Sequence, residues 1–294
     1  MARQRVTLKD VAEAAGVHAS TVSRALDPRT RSLINPAVVQ RIVEISEKLE
    51  YRPNAAAYSL RTNRSRTIGV IVPDIENPIF PPMLRGIESA LLAHGYYAIL
   101  GNTDSDEKRE RDIANGFVSR GIDGLILASV SREDKVVDDT ALAGTPVVTV
   151  NRRLDNPAIS SVVHQDDNGV LRALTHLVSL GHRRIAVLAG PQNASTGAER
   201  HTAFLHHRDA LGVVDDPRLI CFATAYTENE GERCLEELIA RGTAFTAVLC
   251  ANDRLAIGAI CALERRNLSC PGDVSVTGYN DMPMVDRILP PLTT

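Results

Sequence analysis

Aromatic side chains make up only 4% of this 294-residue chain, so the core that its 44% hydrophobic content supports is an aliphatic one. Cysteine is sparse too. Cys221, Cys234, Cys250, Cys261 and Cys270 are odd in number, widely spaced and confined to the last third. No two stand at the close spacing of a metal-binding pair, which points to reduced thiols packed in a core. No apolar run approaches the roughly 20 residues of a membrane-spanning helix, and residues 1–20 hold no secretory apolar stretch. The expectation is a cytoplasmic protein with no membrane partner. Also missing are G-x-G-x-x-G, G-x-x-x-x-G-K-[ST], G-x-S-x-G and H-E-x-x-H. Nucleotide-dependent, serine-hydrolase and zinc-protease chemistries therefore lose their usual sequence support. His201, His206 and His207 cluster, but no two lie at i, i+4, the spacing that turns two imidazoles toward one ion on a helix. The sequence predicts no catalytic residue, no metal and no cofactor.

What is present is divided unevenly. Residues 1–66 hold 12 Lys/Arg against 6 Asp/Glu, a net of +6. The remainder holds 21 against 30, a net of −9, which together give the −3 of the whole chain. A basic head on an acidic body suggests a nucleic-acid-binding module joined to something that does not itself bind DNA. The length suits two or three domains.

The head carries the sharpest pattern. Leu8, Val11, Ala12 and Ala15 fall at i, i+3, i+4 and i+7, one apolar stripe of a short helix that Thr7 can cap. Gly16 is suited to the left-handed conformation that ends a helix. Val22, Ala25 and Leu26 give a second short helix the same inward face. Two such helices around a tight Gly16-Val17 corner read as a helix-turn-helix, whose second helix enters the DNA major groove. Its outward side offers Ala19, Ser20 and Arg24, with Thr21 and Ser23 in reach of phosphate. Ala19 suits a thymine methyl and Ser20 several base edges, whereas Arg24 can read a guanine or hold a phosphate. An ordinary helical hairpin is the alternative on these residues alone. Asn35-Pro36 starts a third helix with Val38, Ile42, Ile45 and Leu49 inward. The basic arm with Arg3 and Arg5 precedes this head. The segment 54–66, NAAAYSLRTNRSR, follows it, either as a plain linker or as a short helix that forms on DNA with Leu60 wedged in the minor groove.

From Thr67 onward, short apolar runs alternate with helical stretches. Strands are expected at 68–73, 97–100, 124–128 and 146–150, with helices at 82–94, 107–120 and 133–143 between them. The alternation resumes with strands at 161–163, 185–189, 219–222, 247–250 and 274–278 and helices at 168–180, 198–211, 228–241 and 254–266. This rhythm means parallel sheets covered by helices on both faces. Two runs meeting near residues 151–160 suggest two lobes with a cleft between them.

With Thr7-Leu8-Lys9-Asp10-Val11-Ala12, Thr21-Val22-Ser23-Arg24 and Tyr51-Arg52-Pro53-Asn54 in place, the head resembles the LacI/GalR family of bacterial transcriptional regulators. Ile68-Gly69-Val70, Asp123-Gly124, Gly181-His182-Arg183, Asn252-Asp253 and Gly278-Tyr279-Asn280-Asp281 extend the resemblance to that family's periplasmic-binding-protein-like effector domain. The fold class expected is α/β: a small all-α helix-turn-helix domain (1–53), a hinge helix and linker (54–66), and a two-lobed body with parallel sheets (67–294). The resemblance implies a homodimer on a near-palindromic double-stranded DNA operator, with DNA contacts from Thr7, Ala19, Ser20, Thr21, Ser23, Arg24, Asn54, Ala57 and Leu60. It also implies a small polar effector, a sugar or a nucleobase, bound outside the carboxyl ends of the strands. Position in the chain and the family together nominate Phe80, Arg152, Asp166, Arg200, Tyr226, Asn252, Asp253 and Asn280, with Asn151 beside them. Each has a plainer alternative: Phe80 as core, Asp166 and Asn280 as helix caps, Asp253 as the partner of an arginine.

Three departures stand out. His18 occupies a place where the family usually has a serine capping the recognition helix. Pro81-Pro82 follows Phe80, and one proline is expected inside the helix with the other in its approach. The family also runs on for several tens of residues past the position of Thr294, so the resemblance implies a further segment. An α/β enzyme or a transported-solute-binding protein are the rivals for the same body; turnover of a bound ligand or export would revive them.

Overall fold

The computed structural model describes residues 6–27, 30–52, 62, 64–137 and 144–294. The arm with Arg3 and Arg5, and the hinge positions Asn54, Ala57 and Leu60, lie outside them. The chain divides into two compact units, Met1–Ser65 and Arg66–Thr294.

In the first unit, α1 (Leu8–Ala15), α2 (Ala19–Leu26) and α3 (Pro36–Lys48) enclose one small core. Thr7 starts α1 through a reciprocal cap. Its hydroxyl accepts from the Asp10 N–H at 3.4 Å, and the Asp10 carboxylate accepts from the Thr7 N–H at 2.7 Å. Gly16 then takes φ 63°, and the Val17 N–H returns to the Ala12 carbonyl at 3.0 Å, which turns the chain into α2. Val11, Ala12, Ala15, Val22 and Ala25 are buried, as their spacing predicts. The seam of α3 differs from the expected one. Val39, Ile42 and Ser46 are its buried residues, while Val38, Ile45 and Leu49 flank the core half-buried. Ser46 tolerates that position because its hydroxyl donates to the Ile42 carbonyl at 2.7 Å.

The second unit contains two parallel sheets. The first has the order β2-β1-β3-β4-β5, built from β1 (Thr67–Val72), β2 (Tyr97–Asn102), β3 (Gly124–Leu127), β4 (Val147–Val150) and β5 (Ser160–Val162). The second has the order β7-β6-β8-β9, from β6 (Ile185–Ala189), β7 (Ile220–Phe222), β8 (Ala247–Cys250) and β9 (Ser275–Thr277). Helices α4 (Phe80–Ala93), α5 (Glu107–Ser119), α6 (Asp166–Ser179), α7 (Ser195–Arg208), α8 (Glu228–Ala240) and α9 (Asp253–Arg265) connect them. Of the helix expected at 133–143, residues 133–137 fall among the described residues; 135–137 are helical, while 133 and 134 precede the helix.

β6 shows why its sequence is apolar throughout. Ala186 and Leu188 enter a core with α8 and α9, while Ile185, Val187 and Ala189 enter another with α6 and α7. Helices α8 and α9 cross closely. A Cβ on Gly258 would collide with the Glu228 carbonyl, and one on Gly231 with the Leu255 carbonyl. The start of α4 corrects the expectation for Pro81-Pro82. The helix begins at Phe80, so both prolines sit within its first turn. Neither removes a hydrogen bond there, since the first four N–H groups of a helix have no intrahelical acceptor.

Candidate functional site

On α2, Ser20 and Arg24 are exposed, one turn apart on one face, with Thr21 and Ser23 half-buried beside them. Ala19 is only half-buried and packs against the head's core, so its side chain serves the fold as well as the outer face. The family's missing serine is replaced by the His18 imidazole. Its Nδ1 accepts from the Ser20 N–H at 3.2 Å and lies 2.8 Å from Ser20 Oγ. The cap is made differently, and it occupies the hydroxyl of a residue nominated to read DNA.

In the body, the carboxyl ends of β1, β2, β3 and β4 face those of β6 and β7 across a cavity of about 130 Å³. Pro73, Asp74, Ser105, Ser129 and Arg152 line it from the first lobe, and Pro191, Asn193, Tyr226 and Thr227 from the second. A smaller adjoining space of about 20 Å³ is lined by Phe80, Asn151, Arg152, Arg200, Tyr226, Asn252 and Asn280. Seven of the eight nominated residues therefore converge or touch one another here, through positions 80 to 280 of the chain.

Arg200 organises the floor. Its Nε donates to Asp166 Oδ1 at 2.9 Å, its Nη1 to the Ala251 carbonyl at 2.6 Å and its Nη2 to Asn280 Oδ1 at 3.5 Å. The guanidinium carbon also sits 3.7 Å from the centre of the Tyr279 ring. Burial pulls the Arg200 pKa down, but Tyr226, Asp166 and Tyr279 outweigh it and the net shift is upward. Burial pushes the Tyr279 hydroxyl up to about 12. The helix around Arg200 begins at Ser195, three residues earlier than expected, so Arg200 lies in its second turn. Asp166 and Asn280 hold the arginine and are not the helix caps of the plainer alternative.

Tyr226 donates to Thr196 Oγ1 at 3.1 Å, and a Cβ at Gly190 would collide with its hydroxyl. Arg152 Nη1 donates to the Ser129 carbonyl at 3.1 Å, and burial lowers its pKa. Asn252 caps α9 by accepting from the Leu255 N–H at 2.9 Å while lining the smaller space. Asp253 departs from the expectation. Its carboxylate accepts from the Met282 N–H at 2.8 Å and the Thr294 hydroxyl at 2.5 Å, and it lines neither space. It fastens the closing loop after β9, a role that its neighbour Asn252 in the sequence does not share.

Four non-glycine residues just beyond strand ends have positive φ: Asp104 and Ser105 after β2, Asn151 after β4, and Asn280 at 119° after β9. Strained backbone of this kind persists where the surroundings hold it, and it gathers at ligand clamps. Sequence reasoning did not reach Tyr279, Thr196 or Glu110. Glu110 is 3% exposed on α5, and burial first, then Asp134, push its carboxyl up to about 7. Its only signal was an acidic residue on the inward side of a helix. Elsewhere among the described residues, Asp167 and His206, both exposed, join the half-buried His207 in a cluster whose ligand atoms lie within 4.8 Å of one another.

A helix-turn-helix head and a two-lobed α/β body with a polar cleft at its strand ends define a ligand-responsive DNA-binding regulator. Residues 7–54 match the bacterial regulatory proteins of the lacI family, and residues 65–293 match the periplasmic binding proteins and sugar binding domain of that family. The chain belongs to the LacI family and is a transcriptional regulator. It is 30% identical to the HTH-type transcriptional regulator RegA of Clostridium saccharobutylicum, over 98% of this chain and 86% of that one. It is also 30% identical to the regulator GalR of Escherichia coli K12, over 98% and 83%. Among solved structures, a lac repressor dimer bound to operator and the anti-inducer ONPF superposes with a TM-score of 0.84 at 25% identity, covering 98% and 86%. A CelR–cellobiose complex does so at 0.73 and 28%, with the same coverage.

Proposed function

We propose that this regulator binds a near-palindromic operator as a homodimer and that a small polar effector in the body's cleft sets its grip on DNA. The observation that carries the effector reading is Arg200, a buried cation held by Asp166 and Asn280 at the floor of an enclosed polar cleft. Phe80, Tyr226, Arg152 and Asn252 complete the contacts, and Asp253 is left out. The head spans residues 1–53, the hinge 54–66 and the body 67–294. Ser20 and Arg24 read the operator, Thr7, Thr21 and Ser23 hold phosphates, Ala19 touches a base, and Asn54, Ala57 and Leu60 act from the hinge. The protein works on DNA in the cytoplasm and leaves its effector unchanged.

The homodimer has structural support. Helix α4 buries only Phe80, while Leu92 at its far end and Tyr97 and Leu100 on edge strand β2 are 49%, 67% and 44% exposed. Apolar side chains so grouped are suited to cover a second copy of themselves.

The test begins with selection of bound duplexes from a random library. Recovery of an inverted repeat, with Arg24→Ala weakening that site by about tenfold or more while leaving nonspecific binding in place, supports the reading. An effector then changes affinity for the selected site by roughly 5- to 150-fold. Recovery of no preferred sequence, or catalytic turnover of the effector, overturns it.

A further inference from the structure

Outside the cleft, two neighbouring imidazoles meet one carboxylate. His206 and His207 stand in the last turn of α7, and Asp167 in the first turn of α6. Asp167 Oδ1 lies 2.9 Å from His207 Nε2 and 3.6 Å from His206 Nδ1. One ligand atom from each of the three is within 4.8 Å of the other two. The imidazole rings lie beside each other, their centres 4.5 Å apart. Spacing along one helix gave no hint of this. Adjacent side chains on a helix diverge, and the carboxylate comes from another helix, 40 residues before His207.

We propose that Asp167, His206 and His207 form a binding site for one divalent transition-metal ion of the zinc class, which pins the start of α6 to the end of α7.

Geometry and donor chemistry carry the assignment. Zinc-to-nitrogen and zinc-to-oxygen bonds of about 2.0–2.1 Å, meeting at the tetrahedral angle, set neighbouring ligand atoms about 3.4 Å apart. The separations of 2.9 and 3.6 Å bracket that value. His206 is exposed, so its ring can turn onto an ion without disturbing the core, while the His207 side chain is only 15% exposed. Two imidazoles with one carboxylate suit zinc, nickel, cobalt or copper, whereas magnesium and calcium take oxygen ligands. Three protein ligands leave one tetrahedral position for water. The end of a helix also favours a cation, because its last carbonyl groups have no intrahelical donor. Arg208, next in the chain, does not compete, since Asp209 and Asp215 hold its guanidinium. These side chains line neither space of the cleft, so the site is separate from the one already described. It nonetheless joins the same two helices, because Asp166, adjacent to Asp167, holds Arg200 of α7.

A plain hydrogen bond between His207 and Asp167 would need neither His206 nor a full carboxylate, and variants tell the two apart. The test is titration calorimetry of the untagged full chain with zinc, nickel and magnesium chlorides, joined by absorption spectra with cobalt chloride. The expected result is one zinc or nickel ion per chain, no binding of magnesium, and weak visible cobalt bands without the strong near-ultraviolet absorption of a thiolate ligand. Asp167→Asn, His206→Ala and His207→Ala each weaken zinc roughly tenfold or more. Asp167→Asn keeps an oxygen for the His207 hydrogen bond, and His206 is exposed, so these two variants keep the test open if His207→Ala does not fold. Absence of zinc and nickel binding overturns the site. So does an affinity that Asp167→Asn and His206→Ala leave unchanged, or a thiolate band that assigns the ion to the cysteines.

Discussion

Arg254 on α9 reaches across the cleft to Asp74, the residue two beyond β1, with Nη1 2.9 Å from Asp74 Oδ2. The same guanidinium holds Glu228 through two bonds at 2.9 and 2.8 Å, so one side chain ties the first lobe to two helices of the second. Arg153 repeats the arrangement nearby. Its N–H donates to Ser195 Oγ at 2.9 Å and its Nε to Glu199 at 2.7 Å. These links join the walls of the cleft, where an effector would be enclosed.

Asp74→Asn tests whether that link biases the lobes toward closure. Asp74 is about a third exposed, which limits the pair to about 1 kcal/mol, or roughly fivefold in a closed–open equilibrium. Small-angle scattering of the body is expected to show a larger radius of gyration for the variant, and effector affinity is expected to fall by a similar factor. Glu228 stays paired with Arg254, so α9 keeps its place. Identical scattering curves would mean that closure is held by the Arg153 contacts or by the crossing segments instead.

The Arg200–Asp166 pair predicts a larger effect of another kind. Both side chains are almost fully buried, at 4% and 3% exposure. Asp166→Asn leaves a guanidinium desolvated and short of its counter-charge, which typically destabilises by about 3–5 kcal/mol. Urea unfolding followed by circular dichroism is expected to show the body's transition at markedly lower denaturant while the head is unchanged. A midpoint shift of under a tenth of that size would show that Asn280, Ala251 and Tyr279 suffice to hold the cation.

Much of this site was legible because strands and helices alternate so plainly in the chain. Once the ends of the strands are placed, the residues just beyond them become the candidates, and Arg152, Tyr226, Asn252 and Asn280 were found that way. Spacing could not distinguish Asn252 from Asp253. Adjacent residues at a helix start point to different sides, and only the fold shows that Asp253 turns to Met282 and Thr294. Glu110 was beyond reach for a related reason. It sits inside a helix of charged residues, and its burial depends on Ser129, Asp134 and Arg152 arriving from three later segments. The Pro81-Pro82 start was misjudged because a proline pair reads as an approach to a helix, although the first turn accepts both.

Glu110 also makes stability depend on pH. Its carboxyl stands at about 7 in the folded chain against an ordinary 4.5, with burial the main cause. The folded state therefore holds a proton that the unfolded state releases from about pH 4.5 upward. This contribution is fully present below that pH and is lost as pH rises through about 7, a decline on the order of 3 kcal/mol across the window. Thermal melts of the body in Glu110→Gln are expected to lose this slope, because an amide carries no proton to release. An unchanged slope in the variant would place the titration elsewhere, or show the carboxyl ionised in the fold.

His18 bears on the head in the same measurable way. A helix start needs acceptors for N–H groups that have no intrahelical partner, and here the imidazole Nδ1 supplies one to Ser20. His18→Ala removes that acceptor and is expected to weaken the start of α2 by about 1 kcal/mol, the usual value of an N-cap. His18→Ser puts back a hydroxyl of the kind most often found at this position, so α2 should be as stable as before. It also frees the Ser20 hydroxyl from the ring 2.8 Å away. Hydrogen exchange of the intact chain separates these outcomes: amides early in α2 should exchange roughly fivefold faster in the alanine variant and at the original rate in the serine variant, with α1 and the body unaffected. If all three proteins exchange alike, the imidazole adds nothing to the helix, and its contact with Ser20 serves only to orient that hydroxyl.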